Sequence, residues 1–267
     1  MKVAEAIAAA CLTFALCCFP AFAQELTQPP QASPPEQSKF AWGVENDFRS
    51  SHVWRGLVIS DQPVLQPEAW ISVSGFTLDA WSNLTLRDTT ERTRPRIMEL
   101  SLQYERDWGK LRIEPTLEAD FYRDPLNVES SKWVENSLRM SYPAGPLRVF
   151  TSQGFEVSYY RGAYFGEAGI EYERRLPKNT ELEITPSLGW ASAKFNEANI
   201  GVPKAAFNLV AVESSLTHYV NRNLYLRPEL GFSRIMNAQL RAAVLHPTFL
   251  TFGLTIGVAF PNAHRAP

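Results

Sequence analysis

The feature that most restricts the fold of this chain is an alternation of apolar and polar residues, in short segments separated by turn residues, between Phe40 and Phe260. A period of two is the signature of β-strands with one apolar and one polar face. Met98, Leu100 and Leu102, for example, alternate with polar or acidic residues. Twelve segments of this kind are predicted to be strands: 40–48, 64–74, 76–86, 97–105, 111–122, 132–142, 147–157, 163–173, 181–191, 207–219, 224–233 and 248–260.

The connections between these segments alternate in length. Those that follow odd-numbered strands are mostly long, whereas those that follow even-numbered strands are short turns. Long loops at one end, short turns at the other and an even strand number are typical of outer-membrane β-barrels. We therefore predict an all-β fold, a transmembrane antiparallel up-and-down β-barrel of about twelve strands over residues 39–260, in a bacterial outer membrane.

Aromatic residues near the strand ends support this prediction, because amphipathic rings prefer the headgroup level of a bilayer. One predicted girdle lies at the turn end of the barrel, and the other lies near the outer ends of odd-numbered strands. The first contains Tyr104, Tyr142, Tyr172, Tyr219 and Phe260, and the second contains Phe48, Phe121, Phe155, Trp190 and Phe232.

The N-terminal residues 1–23 are predicted to be a signal peptide. Lys2 is followed by an uncharged apolar run from Ala6 to Phe19, which is too short to span a bilayer as a helix. Ala21-Phe22-Ala23 fits the small-x-small rule for cleavage before Gln24. Residues 24–38 are rich in proline and glutamine and are expected to form a linker. Residues 261–267 form a short C-terminal tail.

The polar phase of the predicted strands is strongly acidic. Outside the tenth strand it contains seventeen carboxylates and four arginines. In a closed barrel this face lines the lumen, and crowded carboxylates favour cations. We expect a channel for ions or small solutes that prefers cations. The predicted lining residues are Glu99, Glu114, Glu118, Asp120, Glu167 and Glu171, with Arg112, Arg139, Arg148 and Arg227 as counter-charges.

A plugged barrel, structural or ligand-binding, is the alternative. Arginines from the loops could fold inward and neutralise the lumen; the available ones are Arg49, Arg55, Arg87, Arg92, Arg94, Arg123, Arg161 and Arg241. Gly56 would permit a turn that carries Arg55 to the lumen carboxylates, although Arg55 could equally lie in solvent. The sequence does not separate an open from a plugged lumen.

Two other folds agree with parts of the sequence. Residues 242–263 contain no charged side chain and are long enough for a membrane helix, but Pro247 and the alternating β-favouring residues argue against one. A secreted β-sandwich would share the alternation but not the alternating loop lengths. Within the barrel, the mixed phase of the tenth strand predicts a β-bulge, and prolines inside four strands predict bulges or missing ladder bonds.

An enzyme is disfavoured, because the four histidines are scattered and no strand carries a serine and a histidine two residues apart on one face. A lipid hydrolase is the weakest alternative. We predict no catalytic residues, no metal, no cofactor and no nucleic-acid partner, the formal net charge being −2. The expected partners are outer-membrane lipid, lipopolysaccharide and, through the C-terminal strand, the barrel-assembly machinery.

The beginning of the predicted barrel resembles a known family. The run Asp-Phe-Arg-Ser-Ser-His-Val-Trp-Arg-Gly-Leu at 47–57 is followed by Gln-Pro-Val-Leu-Gln-Pro at 62–67 and by the Gly75-Phe76…Trp81 hairpin. This order resembles the opening of the TorF-type porins of Gram-negative outer membranes. The resemblance covers the first three strands and implies location and fold more firmly than function. It brings no catalytic residues.

Overall fold

The computed structural model describes residues 40–86, 96–123 and 131–261, without the side chains of Arg96, Tyr122, Arg123 and Ser131. The predicted signal peptide 1–23, the linker 24–38 and residues 262–267 of the tail lie outside the described residues, as do Arg87, Arg92 and Arg94.

Twelve antiparallel strands form a closed barrel, which confirms the predicted fold and strand number. Each strand pairs with its neighbours in sequence, and the first pairs with the last. The wall strands are β1 Phe40–Arg49, β4 Val64–Val73, β5 Phe76–Thr85, β6 Arg96–Tyr104, β8 Leu111–Arg123, β9 Ser131–Ala144, β10 Leu147–Glu156, β11 Tyr164–Leu176, β12 Thr180–Ala191, β13 Ala206–Tyr219, β14 Leu224–Ile235 and β15 Thr248–Phe260. A short strand, β7 (Arg106–Trp108), pairs with β8 beyond the end of β6.

The exterior of the barrel is apolar, as the alternation predicts. Along β1, Phe40, Trp42 and Phe48 are exposed on the outside, whereas Ala41 and Gly43 are buried on the inside. Such residues surround the wall, and a closed wall leaves no unpaired strand edge facing lipid. This is the exterior of an outer-membrane barrel.

The predicted aromatic girdles are largely present. Phe48, Phe155 and Phe232 point outward near the end that carries the long loops, which we call the outer end. At the opposite end, which we call the turn end, Phe260 stacks on Trp42 with ring centroids 4.8 Å apart. The prediction was wrong for Tyr219, which packs in the lumen. Its ring follows the inward phase of β13, where it can donate to Glu181.

Three elements beyond the wall were not predicted. Loop 1 (residues 50–63) contains a hairpin of β2 (His52–Trp54) and β3 (Leu57–Ser60). Helix α1 (Ala193–Ile200) is capped by the Ser192 side chain and ends at Gly201 in the left-handed conformation, while α2 (Ala238–Ala243) is capped by Asn237. None of the helices in the described part of the chain is long and apolar enough to cross a bilayer. The candidate helix over 242–263 is instead mainly β15.

Irregularities occur where the sequence predicts them. The β12–β13 register shifts so that Asn208 is the extra residue, which confirms a bulge in the tenth wall strand. Each of the four prolines inside the predicted strands lies beside a gap in one ladder. The β4–β5 pairing is interrupted at Pro67, β11–β12 at Pro186 and β13–β14 at Pro228, and Pro115 of β8 falls in the break between its pairings with β6 and β7. The expected missing bonds are therefore observed, because proline has no N–H to donate.

Candidate functional site: the barrel lumen

The polar phase of the wall lines the lumen, and the ten predicted lining residues all lie in this phase. Glu99, Glu114, Glu118, Glu167 and Glu171 are partly buried on the inner face, and Asp120 is buried at 6% exposure. Their role as the lining of a channel stays a prediction of the sequence analysis. What it did not reveal is how the charges pair.

Most lumen arginines are paired with carboxylates on the same or neighbouring strands. Arg227 donates to Glu45 at 2.7 Å and to Glu229 at 2.8 Å. Arg49 pairs with Asp47 and with Glu229. One connected network therefore spans β14 and β1 and contains Glu45, Asp47, Arg49, Arg227 and Glu229. Charge-assisted hydrogen bonds of this kind fix the positions of both partners.

A second network lies on the opposite wall. Arg139 contacts Glu171 and lies 3.7 Å from Glu114, while Arg148 lies 3.8 Å from Glu171 and donates to Ser141. Separately, Arg112 pairs with Glu105 and Asp107, both at 3.0 Å, near the turn end. All four predicted counter-charges are thus engaged by carboxylates.

Loop 1 enters the lumen and brings Arg55 with it. Arg55 forms two hydrogen bonds with the Glu135 carboxylate of β9, one of 2.8 Å. Arg55 and Gly56 both adopt positive φ angles, and a Cβ at Gly56 would lie 2.6 Å from Leu209. The turn therefore requires the conformational freedom of glycine at its second position. Of the two placements considered for Arg55, at a lumen carboxylate or in solvent, the structure shows the first.

The inserted loop is held by aromatic side chains at the outer end. The Arg55 guanidinium lies 4.5 Å from the centre of the Trp54 ring and 4.8 Å from that of Phe165. Phe195 of α1 is 1% exposed and packs with Phe165, Leu209 and Trp54. The outer half of the lumen is thus partly filled. The sequence did not indicate this packing, because inward-facing residues that form it, such as Phe165 and Leu209, are apolar and break the alternation.

The other loop arginines behave differently. Arg241 donates to the backbone carbonyl oxygens of Ile235 and Met236, and Arg161 is exposed in the loop after β10. Of the eight loop arginines considered for sealing the lumen, only Arg49 and Arg55 are described as pairing with lumen carboxylates. The structure places Arg49 at the end of β1 rather than in a loop.

One part of the wall keeps its carboxylates free of basic partners. Strands β4, β5, β6 and β8 contribute Glu68, Asp79, Glu99, Glu118 and Asp120 to the lumen, and no described lysine or arginine side chain lies within 4.0 Å of any of them. We call these five residues the acidic wall. Ligand oxygens of Glu99, Glu118 and Asp120 lie within 4.8 Å of one another, close enough to hold a metal ion. No metal was predicted from the sequence.

Cavities lie along the lumen. A vestibule of about 670 Å³ at the outer end is bordered by loop 1, α1 and the loop after α2. A cavity of about 230 Å³ lies beside Arg49, Glu183, Glu213 and Arg227. A third, of about 300 Å³, lies between loop 1 and the acidic wall. Loop 1 therefore borders two of these three cavities.

Three of the four histidines lie in the described part of the chain. His218 lies 3.1 Å from the Thr180 hydroxyl, and His246 packs against Phe249. His52 is packed against Trp81. Within residues 40–86, 96–123 and 131–261, no serine hydroxyl forms a hydrogen bond with a histidine ring. His264 lies outside the described residues.

The solved structures to which this chain is similar include outer-membrane porins and channels. The KdgM porin is 12% identical with a TM-score of 0.47, and the alignment covers 82% of this chain and 99% of that one. The COG4313 outer membrane channel from Pseudomonas putida F1 is 12% identical with a TM-score of 0.46, covering 86% and 100%. OmpF of Salmonella typhi, in complex with daunomycin, is 6% identical with a TM-score of 0.38, covering 83% and 97%.

No protein-family model matches the sequence, and no curated protein is similar to it in sequence. The TorF-type resemblance of the first three strands therefore stays a prediction. The function has to be argued from the charges and cavities of the lumen itself.

Proposed function

We propose that this protein is a porin-like channel of the outer membrane, through which small solutes diffuse and cations pass in preference to anions. The observation that carries the proposal is the unequal pairing of lumen charges. The lumen arginines are engaged by carboxylates, whereas the five residues of the acidic wall have no described basic partner. The described lumen groups that lack an oppositely charged partner here are therefore carboxyls, and rings of carboxylates select for cations.

The size of the permeant solute follows from loop 1. Because the Arg55–Glu135 pair and the Phe195 contacts hold this loop inside the barrel, the route from the vestibule runs beside it. The cavities further in are about 140 to 300 Å³. These volumes are suited to hydrated ions and compact solutes, and they are at or below the lower end for drug-sized ligands.

The test is single-channel recording of the mature protein in a planar bilayer, with the reversal potential measured under a salt gradient. We expect small, steady steps and a reversal potential on the cation-selective side. Replacing Glu68 with Gln and Asp79 with Asn should shift this potential toward zero. Glu197→Gln is the matched control, because that carboxylate lies exposed on α1. Anion selectivity of the unmodified channel would refute the cation preference.

A plugged, ligand-binding barrel is the second candidate, and the insertion of loop 1 and α1 into the outer end favours it. The same recording separates the two functions. A folded barrel that conducts only after loop 1 is released, for instance by Arg55→Ala, would be a plugged barrel. Steps from the unmodified protein would establish the channel.

The proposed partners follow from the exterior. The exposed apolar residues contact outer-membrane lipid, and the outer loops face lipopolysaccharide. Strand β15 alternates strictly and ends at the outward-facing Phe260, so we propose that the barrel-assembly machinery recognises this strand. Phe260→Ala should lower the amount of protein assembled in the outer membrane, as measured by heat-modifiable mobility of membrane fractions.

A further inference from the structure

Four neighbouring strands place two indoles and two carboxylates in one row across the inner wall. In the strand register, Trp81 of β5 is paired with Glu99 of β6, and Glu99 with Asp120 of β8. Asp120 is paired in turn with Trp133 of β9. Side chains of directly paired residues lie on the same face of a sheet. The row Trp81–Glu99–Asp120–Trp133 is therefore a fixed feature of the wall.

Loop 1 covers this row and encloses a cavity of about 300 Å³. From the loop, His52, Trp54 and Ile59 line the cavity, and Asn199 of α1 and Ile97 of β6 complete it. The loop rings continue the aromatic surface of the row. His52 lies 5.5 Å from Trp81 and Trp54 lies 5.8 Å from Trp133, measured between ring centroids. The cavity is thus bordered by three indoles.

The acidic groups at this cavity are carboxyls without basic partners. Glu99 and Asp120 line it, and Glu118 has a carboxylate oxygen within 4.8 Å of theirs. Asp120 is only 6% exposed, and none of the described groups donates a hydrogen bond to its carboxylate. The cavity lining contains no lysine or arginine, and the nearby Arg55 is engaged by Glu135. A buried carboxylate without a partner is costly, so a bound positive charge would stabilise it.

The aromatic surface indicates what kind of cation fits. A hydrated metal ion needs oxygen ligands on several sides, whereas here three indoles, Ile59 and Ile97 form much of the lining. Indole faces attract a cation with an apolar body, and aromatic cages are the usual site for quaternary ammonium groups. A volume of about 300 Å³ accommodates a ligand of this kind.

We propose that the cavity between loop 1 and the Trp81–Glu99–Asp120–Trp133 row binds a small organic cation of the quaternary ammonium class. This proposal deepens the proposed function. Its physiological purpose rests on the cation preference of the channel, whereas the binding itself does not. The cation body contacts Trp54, Trp81 and Trp133, and its charge is neutralised by Glu99 and Asp120. The cavity lies beside the inserted loop, so a solute held there is in the permeation route.

The experiment is a titration of the mature protein, refolded in detergent, with choline chloride, followed by calorimetry and by tryptophan fluorescence. The matched ligand control is 3,3-dimethylbutan-1-ol, which has the shape of choline without its charge. We expect choline to bind at least tenfold more tightly than the alcohol and to alter tryptophan emission. Calcium chloride is titrated in parallel.

Variants of the row identify the site. Asp120→Asn and Trp81→Leu should each weaken choline binding by about tenfold, within the range of one cation–π or charge-assisted contact. Glu183→Gln and Trp108→Leu are the matched controls, because Glu183 lines a different cavity and Trp108 is 77% exposed outside the lumen. Both controls should bind choline normally. Heat-modifiable mobility identifies any variant that fails to fold. If Asp120→Asn does not fold, Trp81→Leu and the uncharged ligand still test the site.

Four results would overturn the proposal. These are equal binding of choline and the alcohol, binding unaffected by both row variants, calcium binding without choline binding, and no binding of either cation. The last result would mean that protons alone neutralise the carboxylates. None of these results decides the channel function, because the reversal potential is measured in simple salt without an organic cation. A cation-selective channel without choline binding would leave the proposed function intact.

Discussion

The guanidinium of Arg55 reaches across the lumen to the carboxylate of Glu135, and this pair holds loop 1 inside the barrel. The Arg55 side chain is 18% exposed and that of Glu135 is 4% exposed. Because both charges are largely removed from water, losing one partner leaves the other buried and unpaired. We therefore expect Arg55→Ala to destabilise the inserted loop by about 3–5 kcal/mol.

Release of loop 1 is measured as single-channel conductance, which should rise several-fold in Arg55→Ala and become noisy. Replacing both partners, with Arg55→Met and Glu135→Leu, should destabilise the loop less than either single change, because no buried charge is left over. Conductance identical to that of the unmodified protein in Arg55→Ala, in both single changes and in the double variant would mean that the aromatic contacts alone hold the loop.

Gly154 gives a second means of disturbing the same pair. Its missing side chain leaves room for Glu135, and a Cβ there would lie 2.8 Å from the Glu135 carboxyl carbon and 3.1 Å from Arg55 Nη2. Gly154→Ala should therefore displace the pair and raise conductance in the same direction as Arg55→Ala. Gly253→Ala is the control, because the nearest atoms to its Cβ are at 3.3 Å. A larger effect from the control would contradict this account.

His52 should make the insertion of loop 1 into the lumen sensitive to acid. Burial, with a smaller contribution from the Arg49 guanidinium, lowers the pKa of His52 from 6.5 to about 4. As the pH falls from 6.5 to about 4, a displaced or unfolded loop takes up a proton that the inserted loop does not. The free energy that favours the inserted loop therefore decreases as the pH falls from 6.5 to about 4, and His52 causes no further decrease below that range.

The check is the frequency of channel opening between pH 7 and pH 4. We expect openings to increase as the pH falls, and His52→Gln, which cannot titrate, should reduce the increase. His246→Gln in an outer loop is the control. An unchanged pH profile in His52→Gln would show that other groups carry the pH dependence.

Two lumen carboxylates should contribute to the preference of the channel for cations. Glu118 and Glu167 lie on the inner face of β8 and β11, without a described basic side chain within 4.0 Å of either. Replacing both with glutamine should lower the ratio of cation to anion permeability by several-fold, because negative charge is removed from the passage. Reversal potentials measure this directly. Retained selectivity would assign the preference to other carboxylates.

The sequence predicted the wall well, because lipid on one side and a polar lumen on the other impose a period of two on every strand. All twelve strands and the inward face of the predicted lining residues follow from that constraint. The bulge at Asn208 and the ladder gaps beside the prolines also follow, since they reflect local backbone chemistry.

The contents of the lumen were less predictable. Leu209 and Ala211 look out of phase in the sequence, but they point inward because they pack against Phe195 of α1. That contact joins segments distant in sequence, so no periodicity reveals it. Signals for α1 were present, as Ser192 is a good N-cap and Gly201 a good C-terminal residue. The acidic wall could not be predicted, because recognising it requires the strand register, and the sequence does not give that register.

The pairing of β1 with β15 has a consequence for how the molecule is made. Every other wall contact joins strands that follow each other, and these can form as local hairpins while the chain is being delivered. The final seam joins Trp42 to Phe260, the opposite ends of the barrel sequence. Until the last strand arrives, β1 presents an open hydrogen-bonding edge that lipid cannot satisfy. The open edge must therefore be kept out of lipid until the last strand is available, and ring closure is the step on which a helper would have most effect.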